Sequence, residues 1–291
     1  MFFSDFHPLV TAAWYLSALI LLTAAGHPVL SAGAVLFMGL YSLRLTDARE
    51  KRDDLFFYPL LFLLVTLTNP LFSHKGRTPL FFLNDNPVTV EAILYGASFA
   101  LTLTAVLLTG KCMTKDSSAE RFTALIGRFF PKTAAVLSTA LRYVPLLKRR
   151  ANEIREAQRG IGLVSGESLT DRVLLTAKNY SSLVGWSMVS AAESARAMRA
   201  RYFGTGRRTS LDPFRFTVRD GGMLLLIALC LAAVIAGGAS GALQFDFYPA
   251  LAVKTGAMTA VSLTGGLLLA ALPFLTEEWG RIQWRILRSK I

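Results

Sequence analysis

Charge is missing from long stretches of this chain, and that absence constrains the fold more than any motif does. From Phe6 to Leu43 there is no Asp, Glu, Lys or Arg in 38 residues. Four further runs are equally bare: Leu55–His74 (20 residues), Ala92–Gly110 (19), Gly221–Phe245 (25) and Thr255–Thr276 (22). A helix needs about 20 apolar residues to cross the hydrocarbon core of a bilayer, so each run is a candidate span. The first is long enough for two, with Gly26-His27-Pro28 as punctuation near its middle. Six spans are predicted, over 9–25, 28–44, 55–72, 91–110, 221–240 and 249–276. The first lacks a basic leader and is followed closely by a second, which argues against a cleaved signal peptide. The expected fold is all-α: a polytopic membrane protein of about six transmembrane helices, embedded in a lipid bilayer.

Composition sharpens this picture. Hydrophobic residues make up 53% of the 291, charged ones only 17%, and yet the formal net charge is +12. So much Leu, Ile, Val and Phe excludes a disordered chain. Two distant cysteines, Cys112 and Cys230, exclude a disulfide scaffold. The excess charge is local. Between Lys111 and Asp220 there are 20 basic and 9 acidic residues, a net of +11, so the rest of the chain is nearly neutral. Basic connections lie on the cytoplasmic side. The short connections agree: 44–54 carries Arg44, Arg49, Lys51 and Arg52, and the tail carries Arg281, Arg285, Arg288 and Lys290. The opposite side has little, with Lys75 and Arg77 in 73–90 and no basic residue in 241–248. Both termini and the basic block are therefore expected in the cytoplasm. The division reads as a four-span membrane region (1–110), a cytoplasmic helical block (111–220), a two-span membrane region (221–276) and a basic tail (277–291).

The block has helical structure of its own. Ser117-Ser118-Ala119-Glu120 opens like a capping box, with Phe122, Leu125, Ile126 and Phe129 following at helical spacing. Pro131 starts a second pattern that runs to about Arg159, kinked rather than ended by Pro145 and stopped by Gly160, Gly162 and Gly166. A third helix is predicted from Ser168 to Arg201, stopped by Gly204 and Gly206. Each long helix would span on the order of 40–50 Å. Their apolar residues, among them Leu174, Leu183, Trp186 and Met188, exceed what one helix pair can bury, so the block is expected to pack against the membrane region or other proteins.

Both long helices end alike. One closes Ala157-Gln158-Arg159-Gly160, the other Ala200-Arg201-Tyr202, with small neighbours beside a terminal arginine. Alanine lets a partner backbone approach and arginine offers a planar fork to carboxylates or carbonyls. The plainer reading is that cations at a helix C-terminus complement the macrodipole.

These stretches carry a resemblance. Ala140-Leu141-Arg142-Tyr143-Val144-Pro145-Leu146-Leu147, with Glu153 to Gly160 downstream, is similar to the transmembrane T component of energy-coupling factor (ECF) transporters. Ala197-Met198-Arg199-Ala200-Arg201 with Tyr202-Phe203-Gly204 resembles that family's second signature. His7-Pro8, Asn69 to Gly76 and Asn84 to Thr89 resemble it as well. The resemblance implies two long cytoplasmic coupling helices, each ending in an Ala-Arg-Gly signature seated in one subunit of an ATP-binding cassette pair. It implies membrane helices that hold a small substrate-binding S component for a vitamin or metal ion. Arg159 and Gly160 match the first signature, with Gln158 where alanine is usual. Ala200 and Arg201 match the second, with Tyr202 in place of glycine. The two departures imply a co-adapted ATPase pair. The subunit would be non-catalytic, with ATP hydrolysis in partner chains and the substrate chosen by the S component.

Other chemistry has little support. His7, His27 and His74 are isolated, so no metal site is expected, and no cofactor. There is no GxxxxGK[ST] phosphate loop. Lys254 lies within the last apolar segment, where it could snorkel outward or pair with Asp246. Cys112 reads as a reduced cytoplasmic thiol and Cys230 as a packing residue. Glycine pairs Gly237-Gly238 and Gly265-Gly266 allow close helix approach, either within the chain or against a partner. The alternative is a membrane-embedded enzyme using the basic block to hold anionic lipid head groups, with Asp53-Asp54 as its one adjacent acidic pair. Nucleic-acid binding is disfavoured, because Glu153, Glu156 and Glu193 are interleaved with the basic residues.

Overall fold

The structure is a computed structural model and describes residues 3–72, 76, 78–83, 86–162, 169–203, 214, 216–247, 252–253 and 256–288. A short 3-10 turn at Phe3–Asp5 precedes nine helices among these residues: α1 (Pro8–Ala25), α2 (Pro28–Leu45), α3 (Ala48–Phe72), α4 (Val90–Asp116), α5 (Ala119–Phe129), α6 (Pro131–Gly160), α7 (Leu169–Ala200), α8 (Val218–Ala239) and α9 (Ala257–Arg288). Strands β1 (Pro79–Leu83) and β2 (Asn86–Thr89) form one antiparallel ribbon, and β3 (Phe245–Asp246) and β4 (Ala252–Val253) a second. The chain divides into two compact units, Met1–Ser118 with Phe214–Ile291, and Ala119–Pro213.

The first unit holds α1–α4, α8 and α9, and these six helices are long and apolar enough to cross a membrane. The all-α, six-span reading therefore stands, with different helix ends. Helix α3 starts at Ala48 and takes in the charged residues before Leu55, while α4 continues past Gly110 to Asp116. The two extensions support each other: Lys115 pairs with Glu50 at 2.7 Å, and Lys111 pairs with Asp54. The last span, expected over 249–276, begins at Ala257 and runs on to Arg288, so most of the expected tail is helical. Gly280 does not end the helix: Arg281 pairs with Glu277 one turn back (3.5 Å) while Arg44 of α2 reaches Glu278 (3.1 Å).

The starts of α1 and α2 share one device. In each a histidine caps the helix and a proline fills the first position, where a missing N–H costs nothing. The Leu9 N–H donates to His7 Nδ1 (3.1 Å) and the Val29 N–H to His27 Nδ1 (3.3 Å). Burial holds the His27 imidazole below its ordinary pKa, which keeps that nitrogen an acceptor.

Helix α1 forms the centre of the unit's core, through Val10, Trp14, Tyr15, Ala18 and Leu21. Proline at position 273 cannot bond the carbonyl of Leu269, and the Trp14 indole N–H does so instead at 2.9 Å. Three of the four paired glycines face another helix of the chain; a Cβ on Gly265 would meet Ala233 of α8 at 3.3 Å. A Cβ on Gly237 would overlap Ser262 of α9, and one on Gly266 would meet Leu30 of α2 at 2.6 Å, whereas Gly238 faces open space. Close approach at Gly237 and Gly266 is thus internal to the chain. Both cysteines are free and buried, and both belong to this packed core.

The second unit comprises α5, α6 and α7. Helix α6 runs unbroken through Pro145. The Tyr143 hydroxyl lies 2.8 Å from Ser194 Oγ, and the Arg150 guanidinium sits 5.5 Å from the Trp186 ring. Moving up α6 means moving down α7 between these contacts, so the two helices are antiparallel.

Candidate functional site

The residues singled out in the sequence lie at the C-terminal ends of α6 and α7, all of them in the second unit. Because the helices are antiparallel, the two ends point opposite ways. Counting outward from the Tyr143–Ser194 contact at 1.5 Å per residue, Arg159 and Arg201 are on the order of 35 Å apart along the pair. The sites are separate, not two halves of one pocket.

Each end closes with the same hydrogen-bond pattern. On α6 the Ile161 N–H donates to Ala157 O (3.1 Å) and the Gly162 N–H to Arg159 O (3.1 Å), with Gly162 at φ +76°. On α7 the Arg201 N–H donates to Ala197 O (3.2 Å) and the Tyr202 N–H to Arg199 O (3.0 Å), with Tyr202 at φ +54°. The Phe203 N–H completes a Schellman motif by donating to Met198 O at 3.0 Å. Tyr202 is the one residue other than glycine with positive φ among the described residues. A left-handed residue with a Cβ costs about 1–2 kcal/mol, so the tyrosine replaces glycine at a position that favours glycine.

The two caps set a register that spacing between arginines does not. Gly162 and Tyr202 are equivalent, 40 residues apart, which pairs Arg159 with Arg199, Gly160 with Ala200 and Ile161 with Arg201. Ala157-Gln158-Arg159 then matches Ala197-Met198-Arg199. Arg201, 42 residues after Arg159, is by helix geometry the counterpart of Ile161 and lies two positions further out than Arg159 does. All of these side chains are exposed except that of Gln158, which is half-buried. Large apolar groups stand out in water beside them: Ile161 is 76% exposed, Tyr202 80% and Phe203 57%.

Sequence reasoning missed two carboxylates in the first unit. Asp116, at the end of α4 and 8% exposed, accepts hydrogen bonds from the hydroxyls of Tyr15 and Tyr41, the latter at 2.8 Å. Asp220, 4% exposed, accepts from the backbone N–H of His7 (3.0 Å) and from the N–H and hydroxyl of Thr217 (2.8 and 2.7 Å). Each lies within a few residues of a place where the chain passes between the two units. In the sequence they look like ordinary charges beside a span. The only advance signal was Thr217 three residues before Asp220, the spacing of a capping box.

The other sequence candidates resolve as follows. Asp54 is tied to Lys111, which leaves Asp53-Asp54 without the character of a paired catalytic dyad. No group of three or more His, Cys, Asp or Glu side chains able to hold a metal occurs among the described residues. Lys254 and the side chain of Asp246 lie outside the described residues, as do His74, Gly204 and Gly206.

No family model matches the chain. It is 30% identical over 192 residues to the energy-coupling factor transporter transmembrane protein EcfT of Brevibacillus brevis, covering 60% of this chain and 70% of that protein. Over 104 residues it is 38% identical to the EcfT of Lacticaseibacillus paracasei, covering 34% of this chain and 39% of that one. It is also 29% identical over 248 residues to an ABC transporter ATP-binding protein of Bifidobacterium longum, covering 79% of this chain but only 31% of that protein, so the chain spans about a third of it.

Proposed function

The chain belongs to the family of energy-coupling factor transporter transmembrane proteins, and from that premise we propose that it is the membrane scaffold of an ECF-type importer. Its six-helix unit holds a small substrate-binding S component in the bilayer. Its α5–α7 unit lies in the cytoplasm, on the side that the basic connections select, together with both termini. The ends of α6 and α7 dock on two ATP-binding cassette subunits, which hydrolyse ATP; this chain performs no chemistry. The kinship of the Bifidobacterium ATP-binding protein fits a role beside such ATPases.

One observation carries this reading: two exposed, arginine-bearing helix ends with matched caps, set far apart on one antiparallel pair. Two ends suit two ATPases. When ATP draws the ATPases together, Arg159 on one helix and Arg199 with Arg201 on the other are drawn with them, and the helices carry the motion toward the membrane helices and the S component. Arginine suits this task because a bidentate contact transmits direction as well as force. The S component then reorients and releases a vitamin or metal ion to the cytoplasm.

The test is charge reversal. Arg159→Glu and Arg201→Glu, each expressed with its ATPases and S component, should abolish uptake and lose ATPase chains on purification, with the membrane subunit still inserted at its normal level. Full uptake and full ATPase recovery in both variants would overturn the assignment.

A further inference from the structure

Helix α9 is longer than a bilayer requires. It runs for 32 residues, and its charge-free part to Thr276 covers the roughly 30 Å of hydrocarbon at about 1.5 Å per residue. About three more turns, Glu277 to Arg288, therefore stand at the level of the lipid head groups and beyond. The outward apolar side does not stop where the hydrocarbon does. Val261, Leu268, Leu275, Trp279, Ile282 and Ile286 are all exposed and follow one another by seven, seven, four, three and four residues, one stripe from near the helix start to its last turn. Arg281, Arg285 and Arg288 follow by four and three residues and form a basic stripe on the neighbouring side. The nearby carboxylates are engaged, Glu277 by Arg281 and Glu278 by Arg44. Among the described residues neither Arg285 nor Arg288 enters an ion pair. Two of the chain's four tryptophans border these stripes, Trp279 at 64% exposure and Trp284 at 63%.

We propose that the last three turns of α9 are a docking surface for anionic phospholipid, with Trp279, Ile282 and Ile286 seated at the acyl-chain boundary and Arg285 and Arg288 on the lipid phosphates. The occupant follows from two features. The apolar stripe is continuous with the side of α9 that faces outward in the bilayer, so lipid that covers Leu268 and Leu275 also covers Ile282. The charge beside it is basic, and a guanidinium fork fits a phosphate in two places at once. A zwitterionic head group brings its own cation to such a site, whereas an anionic one brings none, so the arginines favour the anionic lipid. Tryptophan suits the same level, because its ring is apolar and its N–H donates to head-group oxygens. A lipid held there fixes the height of α9 in the bilayer and, through the Arg44–Glu278 pair, that of α2. This inference rests on α9 crossing a bilayer and is independent of the scaffold reading.

The experiment uses the full chain with its partner subunits in bilayers of equal parts phosphatidylcholine and phosphatidylglycerol. A photo-crosslinking phenylalanine analogue replaces Ile286, or Leu268 as a control within the span, and the captured molecule is identified by mass spectrometry. Position 286 should capture phosphatidylglycerol about fivefold over phosphatidylcholine, the order of preference that two nearby arginines give. Position 268 should capture the two lipids evenly. Adding Arg285→Gln and Arg288→Gln should bring 286 to an even ratio and leave capture from 268 as it was, so that a helix still crossing the bilayer has lost only its lipid preference. Even capture at 286 with both arginines present, an equal preference at 268, or capture of a protein chain or of no lipid from 286 overturns the proposal. Loss of the ATPases with the preference at 286 intact would count against the scaffold reading alone.

Discussion

The two units of this chain treat polar and apolar groups in opposite ways. The six-helix unit buries carboxylates and gives them partners: Asp116 takes two tyrosine hydroxyls, Asp220 a capping box and the His7 amide, and Glu91 the Thr78 hydroxyl at 2.8 Å. The α5–α7 unit buries none of α6 at all, and leaves Val136, Val173, Tyr180 and Met188 in the open. Exposed Leu on α3 needs no explanation in a helix that meets lipid. Exposed Val and Met on helices dotted with Lys, Arg and Glu do need one. The first unit gives its buried carboxylates partners of its own, whereas a unit with its apolar groups outside is built to be covered.

That contrast can be broken first in the six-helix unit. Asp116→Ala removes the acceptor from two buried hydroxyls and should cost about 3 kcal/mol, lowering the melting temperature in detergent; Asp116→Asn keeps an acceptor and should lose less. An unchanged melt for the alanine variant would mean that the buried carboxylate is not part of what holds α1, α2 and α4 together. Next in size is Gly237→Ala, whose methyl would overlap the buried Ser262 and should cost about 2 kcal/mol, while Gly238→Ala, with open space around it, should leave the melt unchanged or slightly raised. Equal effects at the two neighbours would contradict the packing of α8 on α9. The smallest effect is expected in the other unit. Tyr202→Gly relieves about 1 kcal/mol of backbone strain, so it should slow amide exchange at the α7 terminus without moving the global melt.

How much of this could be read beforehand depends on what enforces it. The bilayer enforces spans, so five charge-free runs and one Gly-His-Pro break were enough to find six helices. Their ends were less legible because pairs such as Lys115–Glu50 and Arg44–Glu278 extend helices beyond the apolar run, and a sequence does not show which charges meet. The site was half legible. Alanine and arginine near glycine stops marked two helix ends, and α6 and α7 do end there, at Gly160 and Ala200. The equivalence of Arg159 with Arg199 required the left-handed residue, and nothing in the composition of Tyr202-Phe203 reveals that a tyrosine adopts a glycine's conformation. Asp116 meets Tyr41 and Tyr15 75 and 101 residues away in sequence, and Asp220 meets His7 213 residues away, beyond any periodic pattern.

Those two aspartates give the molecule the anatomy of an insertion. The chain leaves the membrane unit just after a carboxylate locked by that unit's own tyrosines, and returns just before one locked by its own first helix. The host is sealed at both seams, as a socket is finished whatever plug is wired into it. Exchange of segments between relatives has natural boundaries here, after Asp116 and before Thr217, which leave both carboxylates with the partners that hold them.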